Sequence, residues 1–144
     1  MNQTDTIHLL SQCQSGIQMA VNAINDVLPA VEDSKLLEEL SSCKAEHERL
    51  GVQTQELLAQ LHQPEKSANP MALGFSWLKT NIKLAITPGD HCVADLITDG
   101  CHMGIKSLHK SYNRYTGAGQ QAKQIAQDLI RSESQLTQAL EPYL

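Results

Sequence analysis

An all-α fold, a four-helix bundle whose long crossover contains a short fifth helix, is what this sequence predicts. Apolar residues recur at three- and four-residue intervals over long stretches, the spacing of a helix with one buried face. Each stretch is bounded by capping residues, proline or glycine. The composition, 41% hydrophobic but only 3% aromatic, favours helices over a large sheet core. A length of 144 residues suits a single domain spanning 1–144.

The first helix is expected over about 5–28, capped by Thr4 or Asp5, with the stripe Ile7, Leu10, Cys13, Ile17, Val21, Ile24 and Leu28. Pro29 stops it. Asp33 or Ser34 then caps a second helix over 34–62, whose stripe is Leu36, Leu40, Cys43, His47, Leu50, Leu57 and Leu61. The turn between them is short enough to force an antiparallel hairpin.

After a polar linker, Asn69-Pro70 reads as a cap followed by proline at the first helical position, opening an amphipathic helix over 70–86. Thr87-Pro88-Gly89-Asp90 repeats the device, with Asp90 placed to return its carboxylate to the exposed amides of the next helix, 88–116. That helix carries Val93, Ile97, Cys101, Gly104, Leu108, Tyr112 and Tyr115 and runs out at Gly117-Ala118-Gly119. The last helix, 120–141, has the stripe Ala122, Ile125, Leu129, Glu133, Leu136 and Leu140.

Two tight hairpins joined by a long connection give a bundle with one crossover running its length, the ferritin-like arrangement. A crossover helix of roughly 17 residues reaches ~25 Å at 1.5 Å per residue, enough to return the chain to the other end. With this order of elements, the motifs Asn69-Pro70-Met71, Trp77-Leu78-Lys79-Thr80 and Thr98-Asp99-Gly100-Cys101 carry a resemblance. Over most of its length the chain resembles a bacterial family of small ferritin-like bundles of unknown function. The resemblance implies a fold; it implies no substrate.

Ferritin-like di-iron proteins place a Glu on each of two helices and Glu-x-x-His on each of the other two. Here Lys44-Ala45-Glu46-His47 keeps the histidine but has lysine at the carboxylate position, and Glu133-Ser134-Gln135-Leu136 keeps the carboxylate and loses the histidine. Gln14 and Cys101 stand where the remaining carboxylates belong. No di-iron centre is expected.

A net charge of -5 supplies no electrostatic footprint for a phosphate backbone, so nucleic acid is not the expected partner. No apolar run approaches the ~20 residues of a membrane-spanning helix, and integral membrane association is not expected. Met1 to Thr6 has neither the basic start nor the apolar run of a signal peptide, which points to the cytoplasm. Cys13, Cys43, Cys92 and Cys101 form no CxxC pair and read as reduced thiols in such a compartment.

His47 and Glu133 are the least expected residues on their apolar stripes, because an unpaired polar group in a helical core is costly. Helical rise puts His47, Cys101 and Glu133 near one level, where the imidazole is expected to hydrogen-bond the carboxylate. On that basis Glu133→Ala would cost about 1 to 3 kcal/mol. The functional alternative is an altered site for a single transition metal, built from His47, Glu133, Cys101 and Cys43, with Cys13 as a further candidate. Cys43 and His47, four apart, share a helix face, but buried cysteine is commonly a small hydrophobe. His102 and His109 are expected to be solvated. Gly100 and Gly104, in mid-helix, indicate close helix approach or a small pocket that admits a ligand or Trp77.

The expected function is therefore that of a non-enzymatic cytoplasmic bundle acting through protein association, with a homo-oligomer formed through the crossover helix and no cofactor. A metal- or redox-linked ferritin-like protein with a degenerate mid-bundle site is the alternative.

Overall fold

The computed structural model describes residues 2–61 and 89–144. Among them are four long helices, α1 (Gln3–Val27), α2 (Ser34–Gln60), α3 (Asp90–Arg114) and α4 (Gln120–Leu140), with short 3-10 turns at Leu28–Ala30 and Glu141–Tyr143. There is no strand among the described residues, and no described helix is long and apolar enough to cross a membrane. The crossover helix expected over 70–86, with Trp77 and the Thr87-Pro88 start, lies outside the described residues.

Helix directions follow from contacts at the two ends. At one end the amide of Asn2 donates to the Gly117 carbonyl at 2.7 Å, and Gly117 N–H donates to Asp5 Oδ2 at 2.9 Å. Gly119 N–H donates to the Thr6 hydroxyl at 2.8 Å. At the other end the Asp90 carboxylate accepts from the amides of Glu32 and Asp33 at 2.8 and 3.1 Å. The Tyr143 hydroxyl donates to Asp33 Oδ2 at 2.6 Å. Thus α1 and α4 run one way, and α2 and α3 run the other. Packing is between α1 and α2, α3 and α4, α2 and α4, and α1 and α3, all antiparallel; α1 and α4 also touch across a diagonal. Since α2 and α3 are parallel, residue 61 lies at the opposite end of the bundle from residue 89.

Local chemistry sets the helix ends, with shifts from expectation. The cap of α1 is Asn2, whose side-chain oxygen accepts from the Asp5 amide, and not Thr4 or Asp5. Asp33 caps α2 as expected, accepting from Leu36 N at 2.9 Å. At α3 the cap position falls on Gly89 at φ 151, a conformation that only glycine adopts without strain. Asp90, expected to cap its own helix, instead caps the α1–α2 turn 57 to 58 residues away. Asp90→Ala should therefore cost about 1 to 2 kcal/mol, the loss of two charge-assisted bonds at a partly solvated site. Urea unfolding checks it, and a change within error of zero would mean that water replaces the carboxylate.

The core divides into two apolar clusters. The upper one centres on Val27, Leu36, Leu40, Val93, Ile97 and Leu140, the lower on Leu9, Leu10, Leu50, Leu108, Ile125 and Leu129. Along α4, Leu129 belongs to the lower cluster and Leu136 to the upper, with Glu133 between them. Along α2, His47 stands in the same way between Cys43 and Leu50, and along α3 Gly104 stands between Cys101 and Leu108. A polar layer interrupts the core at mid-height.

Candidate functional site

The layer is built by three helices, each delivering one unusual residue on an otherwise apolar face. Helical phase turns His47 and Glu133 inward as expected, at 1% and 6% exposure. They do not pair: no hydrogen bond joins them in the structure. Instead His47 Nδ1 lies 2.9 Å from the Cys43 carbonyl oxygen. A carbonyl only accepts, so Nδ1 carries the proton and donates back one turn along its own helix. The Cys43 thiol stands 3.5 Å from the same nitrogen and 3.6 Å from Ser132 Oγ. Burial lowers the pKa of His47, more than the Cys43 carbonyl and the Glu46 charge raise it. The imidazole is thus neutral, and its Nε2 lone pair is buried without a hydrogen-bond partner. The expected His47–Glu133 bond is absent: Nδ1 places its proton one turn back along α2, and the Glu133 carboxyl is seated against Gly104 of α3 rather than on the free Nε2.

Glu133 sits against α3 where Gly104 has no side chain. A Cβ at Gly104 would lie 2.5 Å from Glu133 Oε1, so the absent methyl is the space that the carboxyl fills. Among the described residues no hydrogen bond compensates the carboxyl's loss of water, and burial pushes its pKa up from 4.5 to about 8. At neutral pH Glu133 is a protonated acid. The mid-helix Gly104 therefore reflects a seat for the carboxyl as well as close helix approach.

Beside this carboxyl is a cleft of about 40 Å³ between α1 and α3. Gly16, Ala20, Ala23 and Ile97 form part of its wall, and Cys43, Cys101 and Glu133 reach it from within. Its surface is almost wholly apolar. Among the described residues the space in front of Gly16 is open: a Cβ there would meet none of them within 4 Å. On the α2–α4 side a larger groove of about 410 Å³ reaches Cys43 and Ser132 from outside. Its two guanidinium groups are each matched on their own helix, Arg49 by Glu46 at 2.6 Å and Arg131 by Asp128 at 3.0 Å. Among the described residues the groove consequently offers no unneutralised positive charge to an anion, and Glu39 is its remaining charged group.

Of the residues singled out by sequence, Cys43, Cys101 and Glu133 share the cleft, while His47 lies one turn along α2 from Cys43. Cys13 belongs to the lower cluster. His102 and His109 are exposed. No group of three His, Cys, Asp or Glu residues is placed to hold a metal ion among the described residues. Sequence reasoning missed Ser132, adjacent to Glu133 and turned towards α2, and Thr98, whose buried hydroxyl has no partner. A buried small polar residue leaves little trace in an apolar pattern, so neither was legible.

The buried thiols are held in their unreactive form. Burial raises Cys13 to about 12 and Cys43 to about 11, the latter opposed by its Ser132 contact and assisted by the Glu133 charge. Cys101 is raised further, by burial first and then by Glu133 and Cys43. Because the thiolate is the nucleophile and the metal ligand, these positions are poorly suited to either role. Cys92 is half-buried. Ellman's reagent should modify at most one of the four thiols in the folded protein and all of them after denaturation. Rapid folded-state labelling of Cys101 would show the upper cluster to be open. Compared with known proteins, the chain matches no family model, no curated protein and no solved structure.

Proposed function

We propose that the chain is a ferritin-like bundle of the reducing cytoplasm that acts through protein association and carries out no reaction. The chemical state of the interior supports this reading. Its buried thiols are protonated, its buried imidazole is neutral and bonded to its own helix, and its buried acid is uncharged. A centre of this kind lacks an activated nucleophile, and Glu133, the one carboxyl tuned towards neutral pH, has no hydrogen-bonded group among the described residues with which to relay a proton. The parallel course of α2 and α3 further supports a lengthwise crossover, the hallmark of the ferritin-like arrangement. The partner envisaged first is a second copy of the chain.

Sedimentation equilibrium tests the reading, with an apparent mass above the 15.8 kDa of one chain expected at raised concentration. A strictly monomeric protein would remove self-association, and turnover that depends on Glu133 or His47 would remove the non-enzymatic reading. The metal-linked alternative draws on one observation, the unpartnered Nε2 of His47 beside the Cys43 thiol. Metal analysis after purification without chelator separates the two. One equivalent of metal per chain, lost on Cys43→Ser, would favour the alternative.

A further inference from the structure

An apolar cleft that ends in a carboxyl has a definite chemical complement: a hydrocarbon stem tipped with a cation. The wall supplied by Ala20, Ala23 and Ile97 favours methylene groups, which lose nothing by leaving water. The inner end holds Glu133, 6% exposed and without a hydrogen-bond partner among the described residues. A buried carboxyl in this condition is neutral when alone and becomes half of an ion pair when a cation reaches it. Cleft and carboxyl are independent features, since the first follows from small residues on α1 and α3 and the second from the phase of α4. The enclosed room is small, on the scale of a few water molecules. It admits the end of a chain whose remainder stays outside, and the space before Gly16, open among the described residues, leaves a way in.

We propose that the α1–α3 cleft receives a lysine side chain of a protein partner, with the methylenes against Ala20 and Ile97 and the ammonium on the Glu133 carboxyl, which releases its proton to solvent as the ion pair forms. The assignment of a protein as donor rests on the association reading above; the chemistry of the cleft does not. Lysine fits better than arginine, because a compact ammonium on a flexible stem enters a narrow apolar opening that a planar guanidinium does not. The pairing is charge-specific: acetylation of the lysine would remove the cation and with it the reason to enter.

The test is a titration of the full-length 15N-labelled chain, followed by the amide resonances of Gly16, Gly100 and Gly104. The probes are Nα-acetyl-lysine N-methylamide, its Nε-acetylated counterpart and n-butylammonium chloride. Saturable shifts confined to the cleft are expected with the two ammonium probes and not with the acetylated one. Glu133→Gln, close in shape but uncharged, should weaken binding about tenfold or more. Gly16→Leu should block the mouth while leaving the circular dichroism spectrum and unfolding midpoint in place or improved, since leucine favours helix and the site is open. Equal binding of the acetylated probe, unchanged affinity in Glu133→Gln, or no shift with either ammonium probe would overturn the proposal. Binding of n-butylammonium without the lysine derivative would overturn the lysine assignment in favour of a free amine. Sedimentation distinguishes the two readings: association that persists without probe binding rejects the lysine alone, whereas probe binding by a strict monomer rejects self-association alone.

Discussion

Glu133→Gln should be more stable than the parent protein at pH 8, by as much as about 5 kcal/mol, and the two should converge near pH 4.5. The sign follows from linkage. In the folded chain Glu133 holds its proton up to about pH 8, while in the unfolded chain it releases it near 4.5. Between those values the folded state binds the extra proton, so the stability associated with Glu133 is fully present below about 4.5 and is lost as pH rises through about 8. Glutamine fills nearly the same volume beside Gly104 and has no charge to desolvate, so its stability lacks this fall. His47 acts in the opposite sense, since its lowered pKa makes acid unfavourable to the folded state. Its effect is common to both proteins and cancels in the difference. Urea unfolding of the pair across this range provides the measurement, and a pH-independent difference would show that the carboxyl is hydrated. The expectation that Glu133→Ala removes a favourable partner is thereby reversed: there is no His47 bond to lose, and what the substitution removes above neutrality is a buried acid.

Leu58→Ala should destabilise the bundle by about 2 to 5 kcal/mol, and Leu57→Ala by about 1 kcal/mol or less. Leu58 is buried in the lower cluster, whereas Leu57 packs against its edge and keeps part of its surface in water. Truncating the first removes transfer energy and leaves a cavity; truncating the second lets solvent fill the gap. The unfolding midpoint in urea with an unchanged slope is the appropriate readout. Equal losses at the two positions would place the end of α2 in a different rotation.

This pair marks a point where the apolar pattern misled. Leu57 and Leu61 were the expected inward residues of the lower half of α2, because both are leucines at acceptable spacing. The structure buries Gly51, Thr54 and Leu58 there instead. Thr54 reads as polar in sequence, yet its hydroxyl donates to the Leu50 carbonyl at 2.7 Å and leaves its methyl to pack. Gly51 lets Ile17 of α1 approach to 3.3 Å of where its Cβ would be. In α4, by contrast, all six expected inward positions are buried, including Glu133. A single strong periodicity with few competing leucines settles rotation by itself; a helix rich in leucine on two faces does not.

Periodicity and capping alone determined that these stretches are helices, that they end near the observed residues, and that His47 and Glu133 face inward. These properties depend on neighbours three or four positions away, and such information is contained in each segment. Only the tertiary structure decided that Asp90 caps the turn between α1 and α2, that His47 bonds its own helix in place of Glu133, and that Gly104 opens a seat for a carboxyl. Each depends on the rotation and offset of helices far apart in sequence, where a shift of one residue turns a side chain by about 100° on a helix of 3.6 residues per turn. The charge of Glu133 belongs to this second group, because water exclusion by the assembled helices sets its protonation, and no local pattern records it.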